Sequence, residues 1–208
     1  MRLCNRLSNL IPCVRCNDTL FTGLRCAVEL LPLPDAISRL VNTLSAPPRL
    51  VAHLTLVHDS ASQIATRFTA AWPELTYDRH AVLLGAAVHD VGKILFPSEL
   101  SQTGHEHERA GEELLRSLGF PAELARLART HAQWAGESPL VIEDLMVALA
   151  DKLWRGRRDD VLEVAFCDLL AERASQERWQ IFVALDDIAT ALAVRADERL
   201  SWQNQHAI

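Results

Sequence analysis

Residues 79–93 read Arg79-His80-Ala81-Val82-Leu83-Leu84-Gly85-Ala86-Ala87-Val88-His89-Asp90-Val91-Gly92-Lys93. From Ala81 to Val88 the run is apolar on every side, the pattern of a helix buried at the centre of a domain. It predicts a helix over 79–91 that Gly92 stops. Ionisable groups at the end of such a helix must be paired, neutralised or bound to a cation, because burying a lone charge is costly. His89-Asp90 is therefore where chemistry is to be sought first.

Outward from this segment the pattern stays helical. Between Arg49 and Phe68, Leu50, Leu54, Val57, Ala61, Ile64 and Phe68 recur at helical spacing and form one apolar stripe. Further helices are predicted over about 106–118, ended by Gly119, from Pro121 to His131, and from Ser138-Pro139 to about Trp154. Segments 157–173 and 176–200 complete a bundle through Leu162, Phe166, Leu169, Ile181, Leu185, Ile188 and Leu192. Ala and Leu dominate and aromatics are few, so the expected fold is all-α, one helical bundle. Leu31-Pro32-Leu33-Pro34 and Ala46-Pro47-Pro48 punctuate the first quarter. They set a leader, 1–34, apart from a helical domain, 35–208, whose motif-bearing core covers about 49–155.

A chain of 208 residues suits one well-buried domain, and a formal net charge of −6 gives no overall positive field for a nucleic-acid polymer. A small substrate is expected. No apolar stretch reaches the roughly 20 residues that span a bilayer and no signal-peptide core stands out, so neither a membrane nor export is expected, and the address is read as cytoplasmic. Cys4, Cys13, Cys16 and Cys26 crowd the first 26 residues. Zinc sites use two tight cysteine pairs, and only Cys13 and Cys16 form one, so these read as reduced thiols in a poorly ordered leader.

Other inward His and Asp residues come from helical position. His53 lies at the edge of the apolar stripe, whereas His58 is rotated about 140° from it, too far to share one ion from the same helix. Asp59 falls opposite the stripe and is expected to face water, which makes His58-Asp59 a decoy pair. Asp151 interrupts the apolar run Leu145-Met146-Val147-Ala148-Leu149-Ala150, where a carboxylate needs a nearby cation. His131 continues the stripe Leu124, Leu127, Ala128. His107 shares a face with Ala110, Gly111, Leu114 and Leu118, with His105 as the alternate. Imidazoles with carboxylates suit manganese, iron, nickel, cobalt or zinc, one ion or two, and Asp90 could bridge a pair through its two oxygens. An ion there would activate water near neutral pH.

His53, His89-Asp90 and Asp151 resemble the pattern that names the HD superfamily of metal-dependent phosphohydrolases, over about residues 49–155. His89-Asp90-Val91-Gly92-Lys93, with Pro97 following, is similar to the signature of its HD-GYP branch. His53 preceding Val57 by four, His107 preceding Gly111 by four, and Thr130-His131-Ala132-Gln133-Trp134-Ala135-Gly136 resemble that branch's other motifs. In the last of these Thr130 stands where the branch has its first histidine, and Glu137-Ser138-Pro139 lacks its Gly-Tyr-Pro element, so cyclic-di-GMP is not the expected substrate. The resemblance implies that His53, His89, Asp90 and Asp151 hold one ion and Asp90, His107 and His131 a second, with Asp90 and Lys93 as catalytic residues.

By the same resemblance Lys93 would meet a substrate phosphate; by position alone it is equally a solvated lysine closing a helix. Lys152, Arg155, Arg157 and Arg158 are either a phosphate rim or solvated surface, and Asp144 is placed to orient a ligand from behind. His80, His206 and the five Trp need only surface or core roles. The expected function is hydrolysis of a phosphoester in a small substrate such as a nucleotide. A nucleotide-sensing module without turnover and a di-iron oxygenase are the alternatives.

Overall fold

A computed structural model describes residues 29–208, and every regular element among the described residues is helical. The order is α1 (Asp35–Thr43), α2 (Pro48–Ala71), α3 (Arg79–Val88), α4 (Glu106–Ser117), α5 (Ala122–Ala125), α6 (Leu127–Gln133), α7 (Ile142–Leu153), α8 (Asp160–Ala174), α9 (Arg178–Ala193) and α10 (Ala196–Gln203). Short 3-10 turns at Val91–Ile94 and Pro97–Leu100 join α3 to α4, and another at Trp134–Gly136 follows α6. The four N-terminal cysteines and most of the leader lie outside the described residues.

α2 is the spine. Pro48 occupies its first turn, where a missing N–H costs nothing, and the helix packs against α3, α7, α9 and α10. Phe68 is fully buried with ring centroids 5.2 Å from Trp72, 4.9 Å from Tyr77 and 6.2 Å from Phe166, which ties α2 to α8. Truncating such a side chain to alanine costs about 3–5 kcal/mol. α3 is capped by the Asp78 carboxylate, which accepts from the Ala81 amide; Val82 and Gly85 to Val88 are buried as the sequence predicts, while Ala81, Leu83 and Leu84 are half-buried. The core falls into two clusters, one between α2, α3, α7, α8 and α9, the other between α1, the start of α2, the end of α3, α4 and α5. Along α3 the division comes between Ala86 and Ala87, and along α2 between Leu54 and Leu56, beside His89 and His53 respectively.

Several boundaries differ from expectation. The helix bearing His89 ends at Val88, so His89-Asp90 forms the corner between α3 and the next 3-10 turn. The segment from Pro121 splits into α5 and α6, and 176–200 into α9 and α10. α7 starts at Ile142 rather than at Pro139, and α1 was not expected.

Asp59 is a correction: it is 7 % exposed and does not face water. Its carboxylate accepts from the Leu31 amide at 3.0 Å and from Gln63 at 2.8 Å. The segment before α1 and the C-terminal helix cover that side of α2, so residues 56–61 are buried all round. A single-helix projection has no access to such remote cover. His58 is also buried, directing Nδ1 to the Leu83 carbonyl at 3.0 Å, and so does not serve the site.

Candidate metal centre

Each predicted side chain arrives from a different element: His53 from α2, His89 and Asp90 from the corner after α3, His107 from the first turn of α4, His131 from α6 and Asp151 from the last turn of α7. They converge. His53 Nε2 lies 3.1 Å from Asp90 Oδ2, 3.4 Å from Asp151 Oδ1 and 3.2 Å from His89 Nε2. His89 Nε2 is 3.6 Å from both Asp90 Oδ2 and Asp151 Oδ1. On the other side of the same carboxylate, Asp90 Oδ1 is 3.0 Å from His107 Nε2 and 3.5 Å from His131 Nε2. Two groups emerge with ligand atoms within 4.8 Å of one another: His53, His89 and Asp151, and His89, Asp90 and His131.

The tautomers explain why this company needs a cation. His89 directs Nδ1 at the Ala86 carbonyl and His131 directs Nδ1 at the Ala128 carbonyl, each at 2.9 Å. A carbonyl only accepts, so both Nδ1 atoms carry the proton and both Nε2 atoms present bare lone pairs when the rings are neutral. His107 is held the same way, its Nδ1 donating to the Glu99 carboxylate. Lone pairs therefore face carboxylate oxygens, and Asp90 Oδ1 is buried without accepting a hydrogen bond. Acceptor facing acceptor in a buried space is tolerable only with positive charge between them. The donor set fits a divalent transition ion, four imidazoles and two carboxylates being the mixture such ions favour.

Without a cation, the positive charge that the carboxylates require falls to Lys93 and to protonated imidazoles. Burial pushes Asp90 up, but His89, His107, His53 and Lys93 together hold it well below the usual carboxylate range. Asp151 is likewise held far down by His53 and His89 against the effect of burial. Burial lowers His53, yet Asp151 and Asp90 overcome it and the net direction is upward. His131 is pushed down to about 3 by burial and by the neighbouring His89, so its ring is neutral at any ordinary pH.

Around the centre lies a cavity of about 670 Å³ lined by His53, Asp90, Lys93, His107, His131 and Asp151, with Lys152, Arg155 and Arg157 at its wall. Lys93 donates to Asp90 Oδ2 rather than projecting freely, a placement that neither expectation for it included. Of the basic run after Asp151, Arg158 turns away to Glu163 and Asp186 and is no part of the rim. His105 is exposed; it lines the same cavity but faces Glu108 and none of the clustered His and Asp side chains. Asp144 is buried behind α6, where Arg126 and Thr130 occupy it; it touches none of the site imidazoles.

Sequence reasoning missed Glu99, because it sits in a 3-10 turn with no periodicity to read. It accepts from His107 Nδ1 and from the amides of Glu106 and His107, fixing that ring's orientation. Trp154 was likewise missed as a neighbour; its ring meets His53 edge-on at 5.4 Å. Gly92 has a steric role. A Cβ there would lie 1.9 Å from the His107 carbonyl oxygen and 2.7 Å from the Gly111 nitrogen, so only glycine lets the Asp90–Lys93 corner pack onto α4.

An all-helical bundle with a buried cluster of His and Asp able to hold divalent ions defines the class. A family model described as the HD domain matches residues 48–156, and the chain belongs to that family, whose members are generally metal-dependent hydrolases. The chain is also similar to an uncharacterized protein of Methanocaldococcus jannaschii, 32% identical over 148 residues, which cover 62% of this chain and 80% of that protein. No solved structure matches it significantly. No helix among the described residues is long and apolar enough to cross a membrane.

Proposed function

We propose that this chain is a metal-dependent phosphohydrolase that cleaves a phosphoester in a small substrate, nucleotides being the first class to test. The observation that carries this is the division of Asp90: Oδ2 faces His53 and His89, Oδ1 faces His107 and His131, inside a cavity with a cationic wall. His53, His89, Asp90 and Asp151 would hold one ion, and Asp90, His107 and His131 a second. When bound, such an ion supplies Lewis-acid charge to a phosphoryl oxygen and lowers the pKa of a water that serves as nucleophile.

The chain's own residues do the rest. Ala86, Ala128 and Glu99 fix the rings of His89, His131 and His107 so that their Nε2 atoms need no reorientation. Lys93, Lys152, Arg155 and Arg157 offset phosphate charge at the wall. The motif likeness to the HD-GYP branch supports the ligand division, while Glu137-Ser138-Pro139 argues against cyclic-di-GMP. We take 35–208 as one HD-type unit preceded by a cysteine-containing leader, working in the cytoplasm.

Metal analysis of protein purified without chelator or histidine tag, followed by a broad phosphoester panel, tests the proposal. Bound metal with phosphate release that Asp90→Ala abolishes is expected; metal-loaded protein inert on the whole panel would end it. One observation favours a second reading, a sensing module without turnover. Thr130, at the position of a branch histidine, is buried and donates to Asp144 at 2.8 Å, so it is committed away from the centre. Ligand binding that persists without turnover would select that reading.

A further inference from the structure

The buried carboxylates among the described residues are nearly all spoken for. Asp144 is held by Arg126 and Thr130, Glu163 by Arg158 and the Asp159 amide, and Asp59 by Gln63 and the Leu31 amide. Asp90 belongs to the centre and to Lys93. Glu108 differs. It is 3 % exposed, yet neither an arginine, a lysine nor a backbone N–H of the described residues reaches it. Its Oε2 accepts from the neutral Gln133 amide at 2.6 Å, and its Oε1 has only His105 Nδ1 at 3.5 Å, on a side chain 87 % exposed. A carboxylate offers about four acceptor sites, so Glu108 keeps capacity that the protein does not fill.

That capacity opens onto the catalytic cavity, because Glu108, Gln133 and His105 all line it. The other acidic side chains of the lining are already engaged: Asp90 and Asp151 in the centre, Glu99 with His107 and two amides, and Asp159 with the Leu162 amide in the first turn of α8. The cationic wall comes from α7 and the turn after it, with Lys152, Arg155 and Arg157. The acceptor wall comes from α4 and α6, where Glu108 follows His107 and Gln133 stands two residues after His131. Trp134 adds a flat ring beside Gln133. A ligand that satisfies both walls carries phosphate at one end and hydrogen-bond donors at the other.

We propose that Glu108, steadied by Gln133, is a specificity-determining residue that accepts hydrogen bonds from hydroxyl or amino donors on the organic half of the phosphorylated substrate. The assignment rests on the phosphoester reading of the cavity. A site built to pair a substrate donor rejects the analogue that lacks it, since the buried acceptor is then left bare.

The test is direct binding to the full chain loaded with Mn²⁺, followed by calorimetry. AMP against 2′,3′-dideoxy-AMP probes sugar hydroxyls, and GMP against IMP probes a base amino group. At least one pair is expected to show a preference of about tenfold or more for the donor-bearing member, reduced to within about twofold in Glu108→Gln and in Glu108→Ala. Equal affinities within both pairs, no binding of any of the four, or a preference that survives both substitutions would overturn the proposal. A Glu108-dependent preference without hydrolysis of any phosphoester would sustain it and remove the hydrolase. Hydrolysis of p-nitrophenyl phosphate with no Glu108-dependent preference would do the reverse. Where turnover is measurable, the ratio of kcat/KM between paired substrates should fall with Glu108→Gln; an equal loss on both substrates marks a structural role and counts against it.

Discussion

Replacing Gly92 by alanine should disable the centre although no candidate ligand is substituted. The new Cβ would stand 1.9 Å from the His107 carbonyl oxygen, against an ordinary contact of roughly 3.5 Å, so the Asp90–Lys93 corner and α4 must part by roughly 1.5 Å. The obstacle is backbone and cannot rotate away. Overpacking of this kind costs about 1–3 kcal/mol, and a chain of this size loses about 2–4 °C of Tm per kcal/mol, so a fall of roughly 2–12 °C is expected. Function should suffer more. The 3.0 Å approach of His107 Nε2 to Asp90 Oδ1 spans the same junction, and a 1 Å displacement of a catalytic group can cost about 100-fold in rate. Thermal melts, metal analysis and phosphoester hydrolysis on one preparation check all three consequences. Gly136→Ala is the control, since a Cβ there meets nothing within 4 Å. A Gly92→Ala protein with Tm within about 1 °C of the parent and undiminished metal content would refute the reasoning.

Glu99→Gln keeps shape but removes the charge behind His107; it should weaken metal binding on that side by about 10–100-fold, read by competition with a chelating dye. Arg199 is 2 % exposed and donates to the carbonyls of Trp154 and Leu192, closing α7 and α9 together. Arg199→Met should cost roughly 2–4 kcal/mol in urea unfolding, with metal retention lost early because Asp151 sits in the last turn of α7. Burial lowers the pKa of His58 despite the Leu83 carbonyl and Asp59. The unfolded chain therefore takes up a proton near pH 6.5 that the folded chain refuses, and this stability, complete above that pH, is lost as pH falls toward the folded value. The slope of stability against pH below about 6.5 should be shallower in His58→Gln than in the parent.

How much of this was legible beforehand depended on whether the cause was local. The all-round apolar run before His89 announced a central helix, because only a buried helix can dispense with a polar face. His107 was separable from His105 by helical phase, and the structure buries the first and exposes the second. Helical phase likewise turned His53 and His131 inward, and the apolar run that Asp151 interrupts marked that carboxylate; the structure places all three beside Asp90 or one another.

What failed was whatever depended on remote cover. Asp59 looks solvent-facing on its own helix, yet the segment before α1 and the C-terminal helix close over it. Glu99, Glu108 and Arg199 gain their meaning from partners on other elements, and no spacing along the chain reports those distances. The sequence determined which residues could be interior and which chemistry they favour, since periodicity and residue type are local properties. Only tertiary packing decided which lone pairs face each other across the Asp90 carboxylate, because hydrogen-bond direction and electrostatic coupling fall off over a few ångströms of space, whatever the separation along the chain.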